Sequence, residues 1–178
     1  VVSGWHMRNA WFPSLVEEKH AETAYMTDQA LGFMQKMGGE PWVLHVSYVK
    51  PHWPYIAPAP YHAMYSADQC LPVIRHEYEK QNAHPVVAAY RQQEESLSFA
   101  QDDCIRVVRP AYQGLITQLD DHLGRLFEYM ERTGLMQNTL IVFTADHGDF
   151  LGDHWLGEKE LFYDTVQRVP FIVMDPSP

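Results

Sequence analysis

Thr139-Leu140-Ile141-Val142-Phe143-Thr144-Ala145-Asp146-His147-Gly148-Asp149 is the stretch on which the reading of the fold turns. Leu140 to Phe143 is an unbroken apolar run with β-branched and aromatic members, so the spacing predicts a short buried strand over 139–144. Aspartate, histidine and glycine then end it. Upstream, Tyr112, Leu115, Ile116, Leu119, Leu123, Leu126, Phe127 and Met130 recur at helical intervals. They predict one amphipathic helix over 102–132, kinked or restarted at Pro110 and stopped by Gly134. Further upstream, 42–49 (Trp42 to Val49) reads as another strand. It follows a helix over 27–37 that Thr27 caps and Gly38-Gly39 ends. The proline-rich segment 51–60 cannot continue a sheet, because each proline removes a ladder donor. One short helix is expected near 86–95 and a third buried strand over 169–174. The first turns of chain, with Trp5, Trp11 and Phe12, look irregular. Strands alternating with helices imply an α/β fold around a mainly parallel sheet. In such sheets ligands gather at the C-terminal strand ends.

Composition narrows the possibilities. The chain has 178 residues, of which 46% are hydrophobic and 20% charged, as in an ordinary globular domain. Thirteen lysines and arginines against 23 acidic residues leave a net charge of −10, which argues against a nucleic-acid surface. An anionic substrate therefore needs a local positive charge. No apolar run is long enough to predict a membrane span. Cys70 and Cys104 make no disulfide framework, which fits a reducing compartment. The first residues lack the pattern of a signal peptide, and the expectation is a cytoplasmic protein. A strand falling so close to the last residue predicts an internal piece of a larger protein.

Two constellations carry chemistry. Asp146 and His147 offer an oxygen and a nitrogen from one turn, a pair suited to a divalent cation. The same pair also fits a plain turn with a solvated histidine. Gly148 lets the backbone pass close to an ion or take a positive φ. Beyond it, Phe150-Leu151-Gly152-Asp153-His154-Trp155-Leu156-Gly157-Glu158-Lys159 is a glycine-punctuated loop. Lys159 either folds back to neutralise an anionic oxygen or pairs at the surface with Glu158 or Glu160. In Lys50-Pro51-His52-Trp53-Pro54-Tyr55, the prolines stiffen the backbone around His52. That favours either a placed imidazole, with Lys50 holding a charged oxygen, or a rigid aromatic loop.

Taken in order, Lys50-Pro51-His52-x-Pro-Tyr55, Asp120-x-x-Leu123-Gly124-Arg125-Leu126, the Asn138 to Asp149 run and Lys159 resemble the sulfatases of the alkaline phosphatase superfamily. Ala57-Pro58-Ala59-Pro60-Tyr61-His62 and the 148–159 loop look most like the phosphonate monoester hydrolase and phosphodiesterase branch. The resemblance implies an alkaline-phosphatase-like α/β/α sandwich and hydrolysis of phosphonate monoesters, phosphodiesters or sulfate esters. It makes Asp146 and His147 ligands of one divalent metal, whether manganese, calcium, magnesium or zinc. It assigns Lys159 to the charged oxygens of the substrate and to the nucleophile, and His52 to the leaving group. Lys50 matches a substrate-binding lysine, and His154 is expected to support the metal ligands from behind.

The family's nucleophile is a serine, or a cysteine converted to formylglycine, in Cys/Ser-x-Pro-x-Arg. Cys70-Leu71-Pro72-Val73-Ile74-Arg75 departs from it: the arginine is one residue late, and the motif follows His52 instead of preceding it. Cys104-Ile105-Arg106-Val107-Val108-Arg109-Pro110 likewise fails a Cys-x5-Arg phosphatase loop. Residues 1–178 are therefore expected to be an internal part of one catalytic domain, without the nucleophile segment and inactive alone. The remaining expectations are a small anionic ester as partner, no nucleic acid or membrane, and a homo-oligomeric parent. A two-metal phosphomutase and a non-catalytic binding module of the same fold are the alternatives.

Overall fold

The computed structural model describes residues 6–177, so Trp5 lies outside them. Six α-helices and two strands follow one another: α1 (Glu22–Met37), α2 (Tyr78–Gln81), α3 (Pro85–Tyr90), α4 (Glu94–Phe99), α5 (Asp102–Thr133), β1 (Ile141–Thr144), α6 (Asp164–Gln167) and β2 (Phe171–Met174). Short 3₁₀ turns punctuate the connections.

Helix α5 is the spine. It runs 32 residues without restarting at Pro110 and ends at Gly134, as its apolar periodicity requires. Its first half buries Cys104, Val108 and Ala111 against Met7, Ala10, Tyr55 and Phe99. Its second half packs Leu126 and Met130 on Ala30 and Met34 of α1. Trp42, Leu44, Val46 and Ile141 lie on the same cluster, so α1 and α5 cover one face of the extended layer. Midway, Gly114 admits the backbone of the Tyr61–Ala63 turn: a Cβ there would stand 2.2 Å from the Tyr61 carbonyl oxygen.

Five expectations are corrected. Helix α1 begins at Glu22, so Thr27 is not its cap. The Thr27 hydroxyl is buried and bonds the Thr23 carbonyl at 2.9 Å and the Tyr48 hydroxyl at 2.8 Å. The helix expected near 86–95 is two, α3 and α4. Residues 42–49 are extended, with half-buried and exposed side chains alternating, but they join no strand ladder among the described residues. Finally, β1 and β2 pair antiparallel, Ile141 opposite Met174 and Thr144 opposite Phe171. A parallel pair needs a crossover element packed back on the sheet, and the link here holds only a three-residue 3₁₀ turn and the four-residue α6. β2 is also exposed rather than buried, with Phe171 at 72% and Ile172 at 60%, because no second layer of the described chain covers it.

Candidate active site

Two loops leave the extended segments and meet. The first follows residues 42–49 and carries Lys50, His52 and Tyr55. The second follows β1 and carries Asp146 through Lys159.

The first loop is held by its own polar groups. Lys50 Nζ donates to the carbonyls of His52 at 2.9 Å and Pro54 at 2.6 Å, tying the loop from inside. Burial lowers the Lys50 pKa to about 8, with Glu22 opposing the shift. The ring of Tyr55 sits edge-on to Phe99 at 5.8 Å, anchoring the loop to the α5 core. His52 Nδ1 lies 2.9 Å from the Trp53 carbonyl, which can only accept, so Nδ1 carries the proton. In the neutral ring that leaves Nε2 as a lone pair facing the second loop.

The second loop is shaped by close approach. Gly148 donates its N–H to the Val166 carbonyl at 2.7 Å, and a Cβ on it would stand 2.3 Å from the Thr165 carbonyl oxygen. Glycine is needed there for packing against α6, not for a positive φ. Leu151, His154, Trp155 and Glu158 all take φ between 46° and 63°, a region that non-glycine residues rarely occupy. Such strain persists only where surrounding contacts hold it. Arg109 of α5 supplies several, donating to the carbonyls of Leu151 at 3.0 Å and Leu71 at 2.7 Å and to Asp153 at 2.6 Å. Asp153 also accepts from the Ile74 N–H at 2.9 Å.

The meeting of the loops brings Lys159 Nζ to 2.5 Å from His52 Nε2, across 107 residues of sequence. The ring of His147 stands edge-on to that of His52, with centroids 6.1 Å apart. His147 Nδ1 lies 2.7 Å from the Gly148 carbonyl and so holds a proton, which in the neutral ring leaves Nε2 as the lone pair. That Nε2 is 3.6 Å from Asp146 Oδ2. Two ligands of one ion at ordinary metal–nitrogen and metal–oxygen distances stand about 3.4 Å apart. The pair therefore fits a shared divalent cation, with the right tautomer and an Asp146 side chain that is 88% exposed. Asp146, His147, Lys159, Glu160, Phe162 and Gln167 line a cavity of about 510 Å³.

The spacing did not reveal the pairing of Tyr55 with Asp149, whereas the neighbour Glu158 was one of the partners expected for Lys159. The Tyr55 hydroxyl donates to Asp149 at 2.5 Å, joining the two loops, and Asp149 also accepts from the Leu151 N–H at 3.0 Å. Burial pushes the Asp149 carboxyl up to about 6 and raises the Tyr55 phenol. Glu158 Oε2 lies 3.7 Å from Lys159 Nζ and 4.0 Å from His52 Nε2. No periodic signal announces the contact of Tyr55 with Asp149.

His154 stands apart from this cluster. Its Nδ1 is 3.3 Å from Glu79, its ring lies 4.5 Å from that of Tyr163, and its carbonyl accepts from Arg91. Cys70 is half-buried against Ser66 and Gln113, and burial pushes its thiol up, against the attraction of Arg109. Arg75 is turned away to the Phe99 carbonyl and Asp102. That thiol is poorly suited to act as a nucleophile.

Helices laid on an extended layer, with an Asp-His turn at a strand end, make this an α/β protein, and its relatives make that fold alkaline-phosphatase-like. The sequence model of the family described as Sulfatase matches residues 3–177, and the chain belongs to the sulfatase family. It is 37% identical over 175 residues to the multifunctional alkaline phosphatase superfamily protein PehA of Trinickia caryophylli, covering 92% of this chain and 34% of that one. It is 29% identical to an arylsulfatase of Clostridium perfringens, covering 95% and 35%. Among solved structures, the phosphonate monoester hydrolase SpPMH from Silicibacter pomeroyi superposes with a TM-score of 0.86 at 34% identity, covering 94% of this chain and 35% of that one. The chain thus spans about a third of the length of these relatives.

Proposed function

We propose that this chain supplies part of the active site of a metal-dependent hydrolase of phosphonate monoesters, phosphodiesters or sulfate esters. The observation that carries this reading is the contact between Lys159 and His52 beside Asp146 and His147. Groups so far apart in sequence converge at the strand-end position where ligands of α/β sheets bind. Relatives named for sulfatase and phosphonate monoester hydrolase activity support it.

Asp146 Oδ2 and His147 Nε2 would hold one divalent cation, which when bound polarises the ester oxygens and lowers the pKa of a nucleophile. Lys159 Nζ supplies a positive charge for the oxygens that gain charge in the transition state. His52, oriented through Nδ1 by the Trp53 carbonyl, directs Nε2 to the site, and in the protonated ring Nε2–H gives its proton to the departing oxygen while Lys159 keeps its charge. Lys50 supports this histidine by bracing its loop. A formylglycine from outside these residues is the proposed nucleophile, and a homo-oligomeric cytoplasmic enzyme acting on a small anionic ester is the proposed setting.

Asp146→Asn in the complete protein tests the reading, with metal content and turnover of the three ester classes measured together. The variant is expected to lose its metal and to slow by more than the ~100-fold that loss of a supporting partner brings. The ester turned over fastest names the substrate. Metal and rate both retained would make the Asp-His turn structural and end this reading.

A further inference from the structure

Glu158 stands beside the Lys159–His52 contact proposed to handle the ester. Its backbone sits at φ 62°, and its carbonyl accepts from the Phe150 N–H at 2.9 Å, which pins the turn. Its side chain keeps 17% of its exposure, with Oε2 placed 3.7 Å from Lys159 Nζ and 4.0 Å from His52 Nε2. Other carboxylates surround the same lysine: Asp146 and Glu160 line a cavity with Lys159, and half-buried Asp149 accepts from the Tyr55 hydroxyl. Lys50 does not redress the balance, because its ammonium is committed to two carbonyls.

A substrate oxygen arriving at Lys159 and His52 therefore meets a cation already matched by a carboxylate. One negative charge on the ester displaces that carboxylate's hold on Lys159 and is accommodated. The cation that Asp146 and His147 would hold attracts both kinds of ester, but the Glu158 carboxylate repels each negative charge, so a second charge on the ester adds to the repulsion.

Resting on the hydrolase reading above, we propose that Glu158 is a charge-selectivity residue that favours singly charged over doubly charged esters. Phosphodiesters, phosphonate monoesters and sulfate monoesters carry one charge, whereas phosphate monoesters carry two at neutral pH. The repulsion of one extra charge at about 6 Å amounts to between about threefold and a hundredfold, depending on how well solvent screens it.

The test compares p-nitrophenyl phosphate with p-nitrophenyl methylphosphonate in the complete protein at pH 8 or so, where the first is doubly charged. Glu158→Gln is expected to raise the phosphate-to-phosphonate ratio of kcat/KM by at least about threefold, mainly through KM for the phosphate. Glu158→Asn, a side chain that tolerates the left-handed backbone, should shift the ratio the same way. Glu158→Asp should keep the wild-type preference. Calorimetric binding of phenylphosphonate and its singly charged methyl ester gives a readout that needs no turnover, and the neutral variants should narrow their Kd ratio in the same direction. Unchanged ratios in both neutral variants would overturn the proposal. So would an equal loss on both substrates that Asp restores, since Glu158 would then only shape the loop. Absence of any hydrolysis by the wild type, with the binding ratio still shifted, would defeat the hydrolase reading alone.

Discussion

A lysine that donates to the carbonyls of His52 and Pro54 needs only two N–H groups, and a neutral amine has two. Burial therefore removes the third proton at little loss of bonding, and the pKa falls from 10.5 to about 8. The consequence for stability has a definite sign. Between pH 8 and 10.5 the unfolded chain still holds the Lys50 proton and the folded chain has released it. Stability linked to this group therefore rises with pH across that window. Lys50→Met removes the linkage, so the wild-type melting temperature should gain on that of the variant as pH rises through it. A difference that stays flat across the window would show that Lys50 is solvated in the fold. The motif around His52 was legible as a stiff loop, holding either a placed imidazole or packed aromatics, but not the direction of Lys50. Which way a flexible ammonium turns depends on the two carbonyls that the loop happens to expose.

At the scale of elements, α5 and α1 were readable because helical periodicity is a local signal. Register and pairing were not, since a strand's partner is chosen by contacts far along the chain. Apolar runs identified 42–49, 139–144 and 169–174 as extended, yet only the last two contain paired residues, and in the opposite sense to that expected. The crossing of α5 with the Tyr61–Ala63 turn offers a matched test of packing against propensity. Gly124 of α5 has nothing within 4 Å of a built Cβ, whereas Gly114 would place one 2.2 Å from a backbone oxygen. Alanine gains about 1 kcal/mol over glycine in a helix interior. At Gly124 that gain is unopposed, and Gly124→Ala should stabilise by up to ~1 kcal/mol in urea unfolding. At Gly114 the clash with rigid backbone costs about 1–3 kcal/mol or more, so Gly114→Ala should be net destabilising. Equal effects from the two substitutions would mean that the turn gives way easily and does not lock onto α5.

For the whole molecule, what organises the candidate site is the contact of two loops across more than ninety residues, made by Tyr55 with Asp149 and by His52 with Lys159. The residue types were visible as motifs. The contact itself was not, because it depends on four left-handed backbones and on the grip of Arg109, neither of which has a periodic signature. The same global view exposes a weakness. Val142 pairs with Val173 and Thr144 with Phe171, and Val142, Phe171, Ile172 and Val173 all remain about half exposed or more. A two-stranded sheet leaves both outer backbones unpaired, and an apolar face beside unpaired edges templates association. The 178-residue chain expressed alone should therefore self-associate over the micromolar range, with a sedimentation coefficient that climbs with concentration. Replacing the cross-strand pair by opposite charges, Val142→Glu with Val173→Lys, keeps the two strands attracted to each other while making the face polar. The doubly substituted chain should sediment as a monomer at concentrations where the parent does not. If both chains associated equally, the contact would lie elsewhere, and exposed Val43 on the 42–49 segment would be the next surface to charge.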